Sequence, residues 1–373
     1  MATDWVILNQ SHRLDSLPVL PRLPAALETA QPESFTILPT YRCNAACREC
    51  CFESNPGIQH RMTRHELLSL IQRIRTELPS VRYVVFSGGE VTLLRKDLLD
   101  ALSLLTELGL GSRIVTNGHW AHTDHAAERW INDLVSAGLD ELNLSTGDEH
   151  LEWVPIESVA RAALHATRSQ LLTVVNLEGS ADARFGLDEF QKLPQIRQVL
   201  SSDNLRRKLV IMTNLWMPFH SDSGIRCEND IPESVGCDNL FDNFVVNPHG
   251  NLMSCCGLTM EYIPEMKVAH VSEAETMQQV YRRQFKDLLK LWIWLVGTRA
   301  IYELAVRRIG QSIACPSPHQ CAVCAQIYQD PRLRSSVRDL VLENADEIIF
   351  RSMVKARLTG RIILPGPLQR TVS

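Results

Sequence analysis

The stretch Tyr41-Arg42-Cys43-Asn44-Ala45-Ala46-Cys47-Arg48-Glu49-Cys50-Cys51-Phe52 decides how this chain is read. Cys43, Cys47 and Cys50 follow a C-x3-C-x2-C spacing. A [4Fe–4S] cluster held by thiolates takes four of them. Three leave one iron without a protein ligand, open to a substrate or cofactor. Zinc is the competing reading. A structural zinc site wants four ligands, commonly from paired C-x2-C units, and a lone triplet fits that poorly.

Outward from this loop the chain alternates short apolar runs with amphipathic segments. Phe35-Thr36-Ile37-Leu38 predicts a strand feeding the loop. Thr63-Arg64-His65-Glu66 matches a capping box, and Leu67, Leu70, Ile71, Ile74 and Leu78 follow at helical spacing. Further strands are predicted over 81–86, 113–115, 142–144, 171–177 and 209–212. Helices are predicted over 97–108, 126–137 and 156–168, the first two stopped by Gly109 and Gly138. Such alternation predicts βαβ units and a parallel sheet. Six units, not eight, predict an α/β partial (β/α)6 TIM-like barrel, with its site at the C-terminal strand ends. A flat doubly wound sheet is the alternative. The expected divisions are an irregular N-terminal extension over 1–34, the barrel over 35–225, a cysteine-rich extension over 226–330, and a helix around 337–358 with a tail.

The strand ends carry the chemistry. Ser87-Gly88-Gly89-Glu90 follows strand two. Its glycines let backbone approach a ligand closely, and the Glu90 carboxylate can meet a positive charge. Thr116-Asn117-Gly118 follows strand three, and Ser145-Thr146-Gly147-Asp148-Glu149-His150 follows strand four. Glu178 and Asn214 stand after strands five and six.

The cysteine triplet, followed one βα unit later by Gly-Gly-Glu, resembles the radical S-adenosylmethionine (AdoMet, SAM) enzymes over about residues 36–220. The resemblance implies a [4Fe–4S] cluster on Cys43, Cys47 and Cys50, whose fourth iron binds the amino and carboxylate groups of AdoMet. One electron, from a donor such as flavodoxin or ferredoxin, splits the sulfonium. The resulting 5′-deoxyadenosyl radical takes a hydrogen atom from an unactivated C–H bond. Ser87, Gly88, Gly89, Glu90, Asn117 and Ser145 are the expected cofactor contacts, and Asp148 and His150 the expected substrate contacts. One departure is visible. The residue before the third cysteine is often aromatic, and here it is Glu49; Phe52 is expected to take over packing near the adenine.

A second cysteine region resembles the SPASM/twitch extension of the same enzymes. Cys237 and Cys255 flank a hairpin predicted around the turn Asn247-Pro248-His249-Gly250, and Cys321-Ala322-Val323-Cys324 follows at a distance. The resemblance implies one auxiliary [4Fe–4S] cluster on Cys237, Cys255, Cys321 and Cys324, the shorter twitch form. Cys227, Cys256 and Cys315 remain as extra ligands for a second auxiliary cluster. The same four cysteines also suit tetrahedral zinc. Cys256 carries a sharper expectation: if it points into the cavity, it donates a hydrogen atom to a product radical, as an epimerase needs. The stretch 285–308 predicts a helix broken at Gly297, its tryptophans filling a core.

Bulk composition excludes other classes. The chain has 373 residues, with 38 Lys and Arg against 43 Asp and Glu, a net charge of −5. Binding along a phosphate backbone needs a basic stripe; Arg206-Arg207-Lys208 reads as a solvated turn, so no nucleic-acid partner is expected. No stretch approaches the roughly 18 apolar residues that cross a bilayer, and the N-terminus lacks a signal pattern. A cytoplasmic protein with no membrane partner is expected. In that compartment the eleven cysteines are better read as metal ligands than as disulfides. Enzymes with such an extension act on ribosomally made peptides, or on sugars and aminoglycosides by dehydrogenation or epimerisation. The peptide reading leads, with any leader-binding domain supplied by a separate protein. The remaining class is a non-catalytic electron carrier. Ser87-Gly88-Gly89-Glu90 speaks against it, since a carrier needs no AdoMet site.

Overall fold

The strand that feeds the cysteine loop lies inside a nine-stranded sheet ordered β6-β5-β4-β3-β2-β1-β7-β8-β9. The structure is a computed structural model, and it describes residues 17–179, 183–215, 217, 219, 236–313 and 319–360. The first six strands are β1 (Ser34–Ile37), β2 (Tyr83–Phe86), β3 (Gly111–Thr116), β4 (Glu141–Gly147), β5 (Leu172–Gly179) and β6 (Leu209–Leu215). Each pairs parallel with the next. Parallel strands are covered on both faces, and all four residues of β1 are buried.

The rising strand order settles the winding. Right-handed crossovers between successive neighbours put every connecting helix on one face. A doubly wound sheet would reverse its order at a switch point, and this one does not. β6 and β9 are the two ends of the strand order, so the sheet stays open as a partial six-stranded barrel. Its helices are α1 (Arg64–Glu77), α2 (Lys96–Glu107), α3 (Asp124–Ser136) and α5 (Ile156–Arg168), with a short α4 (Asp148–Leu151) at the end of β4. The capping box forms as expected: Thr63 accepts from the Glu66 N–H, and the Glu66 carboxylate accepts from the Thr63 N–H.

The predicted hairpin forms, but it is more than a hairpin. β7 (Asn243–Val246) lies parallel to β1, pairing Ser34 with Asn243 and Ile37 with Val246. β8 (Asn251–Met253) and β9 (Lys267–His270) then continue antiparallel. The extension therefore prolongs the barrel sheet across its first strand. Behind it runs the helix Leu288–Ile309, interrupted at Gly297 (φ 77°, ψ 167°). Its Trp294 is fully buried against Phe241 and Phe285, a core role as expected.

Some expectations need correction. The single helix around 337–358 is two, Pro331–Glu343 and Ala345–Leu358. Asp330 caps the first, with Pro331 in its opening turn, and Asn344 interrupts the run. Three short helices between β5 and β6, beginning at Leu187, Pro194 and Asp203, were not expected. Residues 1–16 of the N-terminal extension and the tail 361–373 lie outside the described residues, as do Cys227 and Cys315. Among the described residues no helix is long and apolar enough to cross a membrane.

Candidate active site

Cys43, Cys47 and Cys50 line a cavity of about 670 Å³ at the C-terminal ends of the strands. The loop is held by backbone bonds from Cys43 N to Asn55 O (3.2 Å) and from Cys50 N to Cys47 O (3.2 Å). Burial pushes the Cys43 thiol up to about 12, with Glu90 and Cys50 adding to the shift. Burial and then the neighbouring Cys50 and Cys43 push Cys47 up as well. Bare thiolates are thus disfavoured here, and a cationic metal centre removes that penalty while releasing protons. Among the described residues no three His, Cys, Asp or Glu side chains converge on one ion. A polynuclear cluster takes each thiolate on a different iron, whereas a structural zinc wants four ligands on one ion. The donor set and the room beside it fit a [4Fe–4S] cluster.

The Gly-Gly-Glu turn rests on the strand that enters this loop. Gly89 N donates to Thr40 O and Glu90 N to Arg42 O, both at 2.8 Å. A Cβ on Gly89 would lie 2.1 Å from Arg42 O, and one on Gly88 2.5 Å from Thr40 O. The glycines therefore let this turn press on the cysteine loop itself, in addition to any ligand. Glu90 Oε1 accepts from Thr92 N, Thr92 Oγ1 and Thr116 Oγ1, and Oε2 accepts from Asn117 N. A carboxylate offers about four lone-pair sites, so Oε2 keeps one direction for a ligand. Asn117 reaches further than expected: its Nδ2 bonds Asn44 Oδ1 at 2.9 Å and lies 3.7 Å from Cys43 Sγ. Ser87, Gly88, Gly89, Glu90, Asn117 and Ser145 all line the cavity.

On the far wall His150 Nδ1 lies 2.9 Å from Glu178 Oε2. Burial opposes charge on His150, but the Glu178 carboxylate, with Glu149 and Glu90 adding to it, leaves the pKa raised. The pair is possible because β4 and β5 are neighbours. Asp148 goes elsewhere: its carboxylate accepts from Arg184 N (2.8 Å) and Phe185 N (3.0 Å), clasping the loop after β5, and it does not line the cavity. Glu49 is buried, lines the cavity and accepts from Phe219 N. Phe52 stacks on Tyr41 with ring centres 5.0 Å apart.

The second cysteine set surrounds a separate space. Cys237, Cys255, Cys321 and Cys324 line a cavity of about 30 Å³ with Leu240, Met260 and Ile293. Cys321 and Cys324 share one face of the helix Gln320–Gln329. Burial pushes Cys321 up to about 12 and raises Cys255 and Cys324 strongly, each further raised by its neighbours. Gly257 supplies the cradle: a Cβ there would meet Cys321 Sγ at 3.3 Å and Cys255 Sγ at 3.5 Å. The donor set fits a metal centre; a cubane is larger than the present space and must spread the thiols. Cys256 turns the other way, into the large cavity, where Asn243 Nδ2 donates to its sulfur at 3.1 Å. Burial raises its thiol to about 11. Cys51, Leu258 and Tyr262 pack with Met217, Phe219 and Cys321 in one apolar cluster. Leu258, His319 and Cys321 also line the large cavity, a role their spacing did not signal.

The Radical SAM superfamily model matches residues 37–154, and the chain carries a radical SAM domain there. Such a domain implies a [4Fe–4S] cluster and AdoMet. The YydG protein of Bacillus subtilis (strain 168), provisionally named a peptide biosynthesis protein, is 25% identical over 127 residues. That match covers 34% of this chain and 40% of YydG, less than half its length. A solved structure of anSMEcpe with bound AdoMet is 14% identical at a TM-score of 0.49, covering 83% of this chain and 99% of that one. BtrN in complex with AdoMet and 2-DOIA is 14% identical at a TM-score of 0.44, covering 72% and 89%.

Proposed function

We propose that this protein is a radical AdoMet enzyme that removes a hydrogen atom from a peptide and returns one from Cys256. The observation that carries this reading is that Cys256 lines the same cavity as Cys43, Cys47 and Cys50, while its neighbour Cys255 lines the smaller one. The YydG name favours a peptide over a sugar. When bound, the cluster and AdoMet supply the hydrogen-abstracting radical.

The chain's own residues do the rest. Glu90 Oε2, Asn117 and Ser145 orient AdoMet. The His150–Glu178 pair holds substrate polar groups on the far wall. Phe52, Met217, Phe219 and Leu258 exclude water. Cys256 gives its S–H hydrogen to the substrate carbon; the thiyl left behind regains one electron from the external donor and one proton from solvent. Cys237, Cys255, Cys321 and Cys324 hold an auxiliary [4Fe–4S] cluster.

The test is anaerobic turnover in H2O with short peptides deuterated at Cα. The expected result is deuterium in 5′-deoxyadenosine and inversion at one Cα. A Cys256→Ala variant should still release 5′-deoxyadenosine but yield no inverted product. Inversion with solvent hydrogen by that variant would remove Cys256 from the reaction. Deuterium transfer from sugar alcohols and not from peptides would reverse the substrate class.

A further inference from the structure

The face of the barrel behind the cysteine loop is basic, in a chain of net charge −5. Two adjoining clefts of about 400 and 520 Å³ share Arg95 and Lys96; Arg42 lines the first and Arg129 the second. All four side chains are exposed. Among the described residues none of the four joins an ion pair, whereas nearby Arg61 and Arg64 are matched by Asp97 and Asp100. α2 begins in the shared wall with no side chain capping its first N–H groups, which adds partial positive charge. Arg95 itself stands at φ 53° and ψ −115°, a conformation that suits glycine and strains other residues. The sequence thus places a charged side chain where backbone geometry favours none.

A short route joins these clefts to Cys43. His119 lines the larger one. Its backbone N–H and ring Nδ1 meet Asn117 Oδ1 at 3.1 and 3.2 Å, and Asn117 Nδ2 lies 3.7 Å from Cys43 Sγ. Arg42 is bonded directly to Cys43. The other side of Cys43 faces the large cavity.

We propose that this basic face docks the protein that supplies the electron, an acidic one-electron carrier of the flavodoxin kind. The inference rests on the radical AdoMet reading. One electron leaves the carrier's anionic flavin hydroquinone, which becomes the neutral semiquinone, and reaches the metal centre at Cys43 by way of Asn117. No atom or proton moves with it. Opposite charges steer such an encounter, and salt screens it over about 10 Å at 0.1 M. Trp130, partly buried in the larger cleft, offers an apolar anchor among the charges.

The experiment uses the full reconstituted chain, with a purified flavodoxin as the probe and two variants, Lys96→Glu/Arg129→Glu and Arg95→Gly. Affinity for oxidised flavodoxin, read without turnover, should fall about tenfold or more in the charge-reversed variant at low salt, and the difference should shrink at high salt. Release of 5′-deoxyadenosine should fall with reduced flavodoxin but stay at the wild-type rate with photoreduced 5-deazaflavin, which needs no docking. Arg95→Gly should weaken flavodoxin binding without lowering the melting temperature, which separates docking from folding. Unchanged flavodoxin affinity in both variants overturns the proposal, as does an equal loss with both reductants. A wild type that releases no 5′-deoxyadenosine with 5-deazaflavin removes the radical reading, and this inference with it.

Discussion

Cys43, Cys47 and Cys50 share a cavity of about 670 Å³, whereas Cys237, Cys255, Cys321 and Cys324 enclose about 30 Å³. The ligand type is the same and the room beside it differs, although Cys321 borders both cavities. Around the first set stand Glu90, Asn117, His150 and Glu178, groups that can orient a polar molecule. Around the second stand Leu240, Met260, Ile263 and Ile293, with Asn239, Thr259, Thr298 and Gln320 but no acidic or histidine side chain. Lys290 is the one buried lysine beside the second set, its ammonium bonded to Ser254 Oγ at 2.8 Å and Glu265 O at 2.6 Å. The Asp287 carboxylate lies 3.8 Å from that ammonium. Three thiols would leave a cluster one coordination position for a small molecule; four would leave none. Under the function proposed above, one chain separates a site for chemistry from a site for electrons or structure.

Substitutions can break that contrast, the largest effect first. Replacing Cys43, Cys47 and Cys50 together by Ala should abolish 5′-deoxyadenosine release and lower iron from about eight to about four per chain, read by metal analysis. Replacing Cys255 and Cys324 by Ser should remove the other half of the iron while AdoMet cleavage persists, read by chromatography of 5′-deoxyadenosine. Loss of zinc instead of iron would reassign the second set. Gly89→Ala forces a Cβ onto Arg42 O and should cost about 1–3 kcal/mol, with weakened cluster retention, read by thermal unfolding and iron content. Thr63→Ala removes the cap of α1, should cost about 1 kcal/mol, and should leave both sites loaded.

Local signals were readable and distant pairings were not. The helix expected over 156–168 is α5 residue for residue, because its apolar face and its flanking Pro155 and Ser169 are all local. The rim motifs fell where strand ends were expected. The pairing of β7 with β1 joins residues about 200 positions apart, and nothing local in Asn243–Val246 marks it. β9 escaped because Lys267–His270 holds only two apolar residues. At the site, the cysteine spacings named sulfurs that line the two cavities, but which of Cys255 and Cys256 faces the larger one depends on which way the chain turns after β8. The burial of Glu49 and the pairing of His150 with Glu178 likewise depend on neighbours that the spacing does not name.

The contrast between an open and a closed set of thiols is tested most directly by electron paramagnetic resonance of the reduced, reconstituted chain with and without AdoMet. The account predicts two cluster signals, one of which shifts when AdoMet is added and disappears in the Cys43/Cys47/Cys50→Ala variant, while the other is unmoved in both. A spectrum that ignores AdoMet, or an AdoMet-sensitive signal that survives in that variant, would contradict it.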